Sequence, residues 1–160
     1  MGVTGCEGNW EKHGSNCYLW SQKDQQKLDW YDAEAFCKKE GGHLASVTSE
    51  ATNEYIFEGK RERSLANIWL GGSDQPMEGV WKWSDGTPWK FELWNDKEPS
   101  KGGGQDCLIQ LGYNVKGWKD YGCTYVNNFV CSQPKFSGNN INISEFLKNR
   151  SLSLFYSTRL

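Results

Sequence analysis

The amino-acid sequence predicts a single domain of the α+β class that is stabilised by disulfide bonds. Two segments with the spacing of helices lie in the first half of the chain, and an apolar, strand-like segment follows each of them. The chain has 160 residues, enough for one domain, and 14% of them are aromatic, so large apolar side chains are available for a core. Six cysteines complete the pattern.

The first helix is predicted over residues 30–40. Apolar residues recur at helical spacing from Trp30 to Cys37. Asp29 stands where a side-chain oxygen can cap the first turn, and the pair Gly41-Gly42 ends the pattern.

Three further elements are predicted: a strand at 43–47, a helix from a Thr48 or Ser49 cap to about Glu58, and a buried strand at 68–71. Between Gly71 and Cys107 the chain is rich in Gly, Pro and Trp but shows little periodicity. This segment is predicted to form a long loop region.

The cysteines indicate the compartment. No two of them are spaced as Cys-x-x-Cys, which argues against a zinc ribbon or a redox dithiol and favours disulfides formed in an oxidising environment. Their spacing alone does not select one pairing. Because disulfides form in an oxidising environment, the protein is predicted to be extracellular, as a secreted protein or a cell-surface ectodomain.

Charge argues against a nucleic-acid partner, and hydropathy argues against a membrane span within this sequence. The formal net charge is −2, and because residues 135–160 carry four basic side chains against one acidic one, residues 1–134 have a net charge of −5. Such an acidic body disfavours nucleic acid as a partner. No apolar run approaches the length of a membrane span, so membrane attachment is expected only through a segment outside this sequence.

Both ends of the chain differ from its body. Residues 1–5 are interpreted as a leader remnant or an added start before a mature fragment, because no apolar stretch follows them. Residues 135–160 are predicted to be a flexible tail that begins with the linker-like segment 137–140. The triplets Asn142-Ile143-Ser144 and Asn149-Arg150-Ser151 have the form of glycosylation acceptors.

Six short motifs follow one another between residues 69 and 131: WLGG at 69–72, EGVWKWSDG at 78–86, EPS at 98–100, DC at 106–107, WKD at 118–120 and FVC at 129–131. In this order, and with this spacing from the cysteines, residues 6–134 resemble a C-type lectin-like domain, as found in soluble animal C-type lectins. The resemblance implies disulfides Cys6–Cys17, Cys37–Cys131 and Cys107–Cys123, the first of which marks the long form of the domain.

The same resemblance implies an architecture. It consists of two helices flanking small antiparallel sheets, with the long loop region holding the ligand. A cis peptide bond is implied between Glu98 and Pro99, since an X-Pro bond tolerates this isomer.

The resemblance also implies a primary calcium and sugar site at Glu98, Ser100, Gln105, Lys119 and Asp120. Glu98 and Asp120 keep carboxylates, whereas Ser100 and Gln105 offer neutral oxygens and Lys119 offers an ammonium. Calcium prefers six to eight oxygen ligands, several of them carboxylates. The site is therefore expected to be degenerate, with weak calcium binding at most and no tightly bound cofactor.

An auxiliary ion site of some family members matches Asp74, Glu78, Lys101 and Asp106. Three acids remain there, but Glu78 also belongs to the common fold motif and Asp74 is suited to cap a turn. One hypothesis is that Lys101 and Lys119 replace calcium as counterions and contribute to ligand binding. The alternative is that they are two unrelated surface lysines.

Tryptophans are a second source of ligand contacts because their rings can stack on sugars or anchor a protein. The resemblance places Trp69, Trp83, Trp94 and Trp118 in the core. Trp89, and less strongly Trp20, are left as candidates for exposure, and Trp89 is counted among the ligand-binding residues.

Enzymatic activity is not predicted. His13 and His43 are the two histidines, and no nucleophile elbow, metalloprotease helix or P-loop is present in the sequence. Paired acids for glycoside hydrolysis remain open on sequence alone, but nothing favours them.

The predicted function is an extracellular recognition module that binds a glycan or protein ligand without tight calcium. One alternative is a calcium-dependent lectin of mannose-type preference, because Glu98 precedes Pro99 where galactose binders of the family carry Gln. The other is an antifreeze-like or mineral-surface-binding protein. A homo-oligomer also remains open.

Overall fold

The computed structural model describes residues 5–100 and 102–134, and there it confirms the predicted α+β class. The two helices are α1 (Trp30–Lys39) and α2 (Glu50–Glu62). The strands are β1 (Glu11–His13), β2 (Asn16–Trp20), β3 (His43–Leu44), β4 (Ile68–Ser73), β5 (Lys82–Trp83), β6 (Cys107–Gln110), β7 (Lys119–Tyr121) and β8 (Asn128–Pro134). The predictions for residues 1–4, for Lys101 and for the tail 135–160 concern residues outside this part. Neither helix of the described part is long and apolar enough to cross a membrane.

Helix α1 forms as the sequence predicts. The carboxylate of Asp29 accepts a hydrogen bond from the backbone N–H of Asp32 at 2.8 Å and so caps the first turn. At the other end, a Cβ built on Gly42 would lie 2.6 Å from the backbone oxygen of Ser132. Only glycine fits this close approach of the chain to β8.

Helix α2 begins after Ser49, one of its two predicted caps, but it continues to Glu62 instead of ending near Glu58. Gly59 does not end the helix. A Cβ there would lie 2.5 Å from the ring of Trp20, so this glycine allows the helix to pack directly against β2.

The strands pair into one sheet in the order β1-β2-β8-β4-β6-β7, while β3 pairs with β8 and β5 pairs with β4. The sheet is mixed, since β4 and β8 run parallel while the other pairs are antiparallel. The parallel pair differs from the antiparallel sheets that the resemblance implies. It arises because β8, the last strand, lies between β2 and β4 and runs antiparallel to β2 but parallel to β4. The strand predicted at 43–47 pairs only over His43–Leu44, and the one predicted at 68–71 extends to Ser73.

All three implied disulfides are present: Cys6–Cys17, Cys37–Cys131 and Cys107–Cys123. The second joins α1 to β8 across 94 residues of sequence. The third joins β6 to the turn that follows β7.

Trp89 and Trp20 correct the expectation of exposure, because both are partly buried. The ring of Trp89 stacks on that of Trp83, with centroids 4.4 Å apart. Trp20 packs on Gly59 and lies 4.6 Å beneath the guanidinium of Arg63. The loop region folds back onto the sheet, so Trp89 contributes to the core rather than to an open surface.

Both histidines make structural contacts. His43 Nδ1 lies 2.6 Å from Oε1 of Glu34, whose other oxygen accepts the backbone N–H of Leu44. The ring of His13 stacks on that of Tyr55 with a centroid distance of 3.9 Å.

Candidate functional site

The long loop region returns to the sheet beside the start of β7. The backbone N–H of Trp118 donates to the oxygen of Leu93 at 2.7 Å, and that of Asn95 donates to the oxygen of Trp118 at 2.9 Å. Trp94 and Trp118 form an isolated parallel bridge. These bonds hold the turn that carries Glu98 against β7, and the Glu98–Pro99 peptide is cis, as the resemblance implied.

Glu98 and Lys119 form an ion pair at this junction. Nζ of Lys119 lies 2.5 Å from Oε1 of Glu98. The side chain of Lys119 is 27% exposed and that of Glu98 is 14% exposed, so water screens this ion pair less than it screens a fully exposed one. The ammonium therefore lies among the predicted site residues and is not extended into solvent.

Ser100 and Asp120 form a second contact across the same junction. The hydroxyl of Ser100 donates to Oδ2 of Asp120 at 2.6 Å. Asp120 is 1% exposed. Its Oδ1 and the Oε2 of Glu98 are buried without a hydrogen-bond partner among the described residues. Within the described part, two carboxylate oxygens thus lack a hydrogen-bond donor, and both are shielded from solvent in this arrangement.

Gln105, the remaining predicted residue of the primary site, is not part of this arrangement. Gln105 is exposed on the return of the loop. Lys101 lies outside the described residues. The structure therefore brings Glu98, Ser100, Lys119 and Asp120 together.

The predicted auxiliary site is an acidic cluster near β4. Asp74 is 3% exposed and accepts a hydrogen bond from the backbone N–H of Gly79 at 2.8 Å. It therefore caps a turn, which is the structural role that the sequence also suggested for it. Glu78 is exposed, and its pKa is raised by residual desolvation and by the negative charges of Asp74, Asp106 and Asp120. These acids repel one another.

Comparison with known proteins identifies the family. The family model described as Lectin C-type domain matches residues 26–133. This chain is a C-type lectin domain. A lectin from Pleurodeles waltl is 32% identical over 79% of this chain and 74% of its own length. The galactose-specific lectin nattectin from Thalassophryne nattereri is 29% identical over 82% of both chains.

Solved structures agree with the C-type lectin assignment. A calcium-independent type II antifreeze protein superposes with a TM-score of 0.75 at 28% identity, covering 84% of this chain and 98% of the other. The carbohydrate-recognition domain of the mouse scavenger receptor C-type lectin superposes with a TM-score of 0.72 at 28% identity, covering 82% of this chain and 98% of the other. This likeness confirms the C-type lectin fold predicted from the six motifs.

C-type lectins typically use calcium, but the donor set of this C-type lectin does not fit a tightly bound calcium ion. Calcium prefers six to eight oxygens, and here Ser100 and Gln105 supply only neutral ones. An ammonium already contacts Glu98, and at such range it would repel a dication by several kcal/mol, at an effective dielectric constant of about 20. In the described ranges, no group of three or more His, Cys, Asp or Glu side chains is arranged to hold a metal ion.

Sequence reasoning did not predict the buried lysine that holds the loop between β6 and β7 in this C-type lectin. Lys60 of α2 is fully buried, and its ammonium donates to the backbone oxygens of Gly112 at 2.8 Å and Val115 at 3.4 Å. Burial lowers its pKa to about 8. The available signal was helical spacing, because Lys60 stands four residues after the buried Ile56 on the same face of α2.

Proposed function

We propose that this chain is an extracellular, non-enzymatic recognition module that binds a glycan without tightly bound calcium. The binding surface consists of Glu98, Ser100, Lys119 and Asp120. The observation that carries the proposal is the 2.5 Å contact between Lys119 and Glu98, because it places a positive charge of the protein where the family resemblance places a metal ion.

The chemistry of this surface suits a ligand with several hydroxyl groups. Carboxylate oxygens accept hydrogen bonds from hydroxyls, and such charge-assisted bonds are stronger than neutral ones. In this proposal a ligand hydroxyl replaces the donor that now covers each carboxylate, which is Lys119 on Glu98 and Ser100 on Asp120. The ammonium of Lys119 has three donors, of which one is directed to Glu98, so it can also donate to a sugar oxygen. Adjacent donors and acceptors of this kind match the vicinal hydroxyls of a pyranose.

Three observations support an extracellular glycan ligand rather than a protein ligand or an intracellular role. The described part holds three disulfides, which persist in oxidising compartments. Two of its relatives are named lectins. The surface is polar, and the tryptophan rings that could anchor a protein are packed in the core or against it.

The test is a glycan array measured with and without a calcium chelator. Wild type is expected to bind the same glycans in both conditions. Glu98→Gln and Asp120→Asn should each lose binding, because each removes a charge of the surface. Asp24→Asn, in an exposed turn away from the site, is the matched control and should bind as wild type does.

Two results would change this conclusion. If the chelator abolishes binding, the calcium-dependent lectin is the correct alternative. If wild type binds no glycan but captures a protein ligand, the glycan class is wrong. The array also decides the sugar preference: Glu98 before Pro99 favours mannose-type sugars, whereas the relative nattectin is named as galactose-specific.

A second candidate function is binding to an ice surface. Its specific support is the likeness to a calcium-independent type II antifreeze protein, with a TM-score of 0.75. Thermal hysteresis measured at millimolar protein concentration tests it. Freezing-point depression that is lost in Ser100→Lys would favour this candidate over glycan binding.

A further inference from the structure

An aromatic ring is exposed just beyond the candidate site. Tyr125 is 60% exposed, although its ring lies 5.0 Å from that of Tyr121, centroid to centroid. Tyr121 in turn lies 6.0 Å from the buried ring of Trp69. One face of Tyr125 is therefore supported by aromatic packing that reaches the core.

The backbone beneath this ring is held in place. The N–H of Tyr125 donates to the oxygen of Gly122 at 3.2 Å, which closes a turn. Cys123, within that turn, is bonded to Cys107 of β6, and its backbone oxygen accepts the N–H of Trp30 at 3.0 Å. A ring fixed before binding loses little conformational entropy when a ligand covers it.

The ring also borders the proposed glycan surface. Gly122 follows Asp120 by two residues, which is about 7 Å along an extended chain. A Cβ built on Gly122 would lie 2.8 Å from the ring of Tyr125 and 3.9 Å from the backbone oxygen of Gly104. The ring thus lies at the turn where β7 ends, next to the point where the loop that carries Ser100 returns at Gly104.

We propose that Tyr125, supported by Tyr121, is a stacking platform for a second pyranose unit of an oligosaccharide whose first unit binds at Glu98 and Asp120. This inference rests on the proposed glycan function. The C–H face of a pyranose is apolar and covers an aromatic ring well. Val126 is 62% exposed and adjoins Tyr125 in sequence, so it adds apolar surface beside the ring.

The test compares mono- and oligosaccharides on Tyr125→Ala, Tyr125→Phe and Tyr113→Ala. Tyr113 is the matched control, because it is 50% exposed but lies on the loop between β6 and β7, where its hydroxyl donates to the backbone oxygen of Ser64. The probes are methyl α-mannoside with mannotriose and methyl β-galactoside with lactose. Affinity is measured by calorimetric titration, and each variant's melting temperature is recorded.

Tyr125→Ala is expected to weaken the bound oligosaccharide by about 3- to 10-fold, the range of an aromatic contact. The affinity for the matching monosaccharide should change by less than about twofold. Tyr125→Phe should bind like wild type, because it keeps the ring. Tyr113→Ala should change neither affinity.

Four outcomes would overturn the platform. If Tyr125→Ala matches Tyr113→Ala on the oligosaccharide while Asp120→Asn loses binding, the platform is wrong and the glycan function stands. If Tyr125→Ala weakens mono- and oligosaccharide equally, Tyr125 acts only on the shape of the first site. If it changes self-association but not binding, the ring belongs to an interface between copies. If wild type binds none of the four probes, the platform and the proposed function both fail.

Discussion

The indole nitrogen of Trp118 donates a hydrogen bond to Oδ1 of Asn53 at 2.8 Å, and both residues are fully buried. The amide nitrogen of Asn53 also donates to the backbone oxygen of Lys116 at 3.1 Å. One side chain of α2 therefore holds the segment that leads directly into Lys119 and Asp120. The helix behind the sheet is coupled in this way to the surface that we propose binds glycans.

Asn53→Ala is expected to lower the free energy of unfolding by about 2–3 kcal/mol, because it leaves a buried indole N–H without its partner. Urea unfolding followed by tryptophan fluorescence measures the change. Asn114→Ala, at an exposed position in the loop between β6 and β7, is the control and should cost less than about 0.5 kcal/mol. Equal losses in the two variants would show that the buried bond is unimportant.

Lys60 predicts an unusual dependence of stability on pH. Its pKa is lowered by burial from 10.5 to about 8. Below about pH 8 the lysine is protonated in both states, so the folded state bears the full cost of the buried charge. Between about pH 8 and 10.5 the folded protein loses this proton while the unfolded chain keeps it, so stability rises with pH, by about 3 kcal/mol in total.

Urea unfolding between about pH 7.5 and 9.5 tests this dependence. The window ends there because burial raises the pKa of Tyr18 and Tyr55, whose ionisation at higher pH favours the unfolded state. Lys60→Met should abolish the rise. Lys116→Met should keep it, since Lys116 is half exposed and paired with Glu54. A stability that falls over this window in wild type would contradict the prediction.

Calcium at millimolar concentration should stabilise the wild type by well under 1 kcal/mol. A ligand present near its dissociation constant contributes only about 0.4 kcal/mol. The double variant Lys119→Asn with Gln105→Glu removes the ammonium and adds a carboxylate, so its melting temperature should become calcium-dependent. Differential scanning calorimetry with and without calcium measures this change.

The control for charge is Lys23→Asn with Gln25→Glu, which makes the same change in an exposed turn and should stay insensitive to calcium. Micromolar calcium binding by wild type, lost in Glu98→Gln and Asp120→Asn, would be incompatible with the role given to Lys119.

Reduction of the disulfides should unfold the domain. The Cys37–Cys131 bond closes a loop across 94 residues and constrains the unfolded chain by about 4–5 kcal/mol, against about 3 kcal/mol for Cys107–Cys123. Near-ultraviolet circular dichroism before and after reduction measures the loss. The untreated protein and a sample alkylated without reduction are controls, and a native spectrum after reduction would refute the prediction.

Much of the fold was accessible from the sequence because its determinants are local or recur in a known order. Asp29 and Ser49 cap their helices with their own side chains, so both starts were predicted correctly. The end of α2 was not, because Gly59 is explained by the ring of Trp20, which lies far away in the sequence. Trp89 was predicted to be exposed, but its ring packs against Trp83 and against Trp118, which is distant in the sequence.

By itself, the sequence determined that a lysine and not an amide stands at position 119, beside two retained acids, Glu98 and Asp120. Only the tertiary structure decided where the lysine is directed, because its long, flexible side chain can reach either solvent or a carboxylate. The loop that packs on β7 brings Glu98 within 2.5 Å of the ammonium. The buried position of Lys60 was decided in the same way, since its partners are backbone oxygens more than fifty residues along the chain.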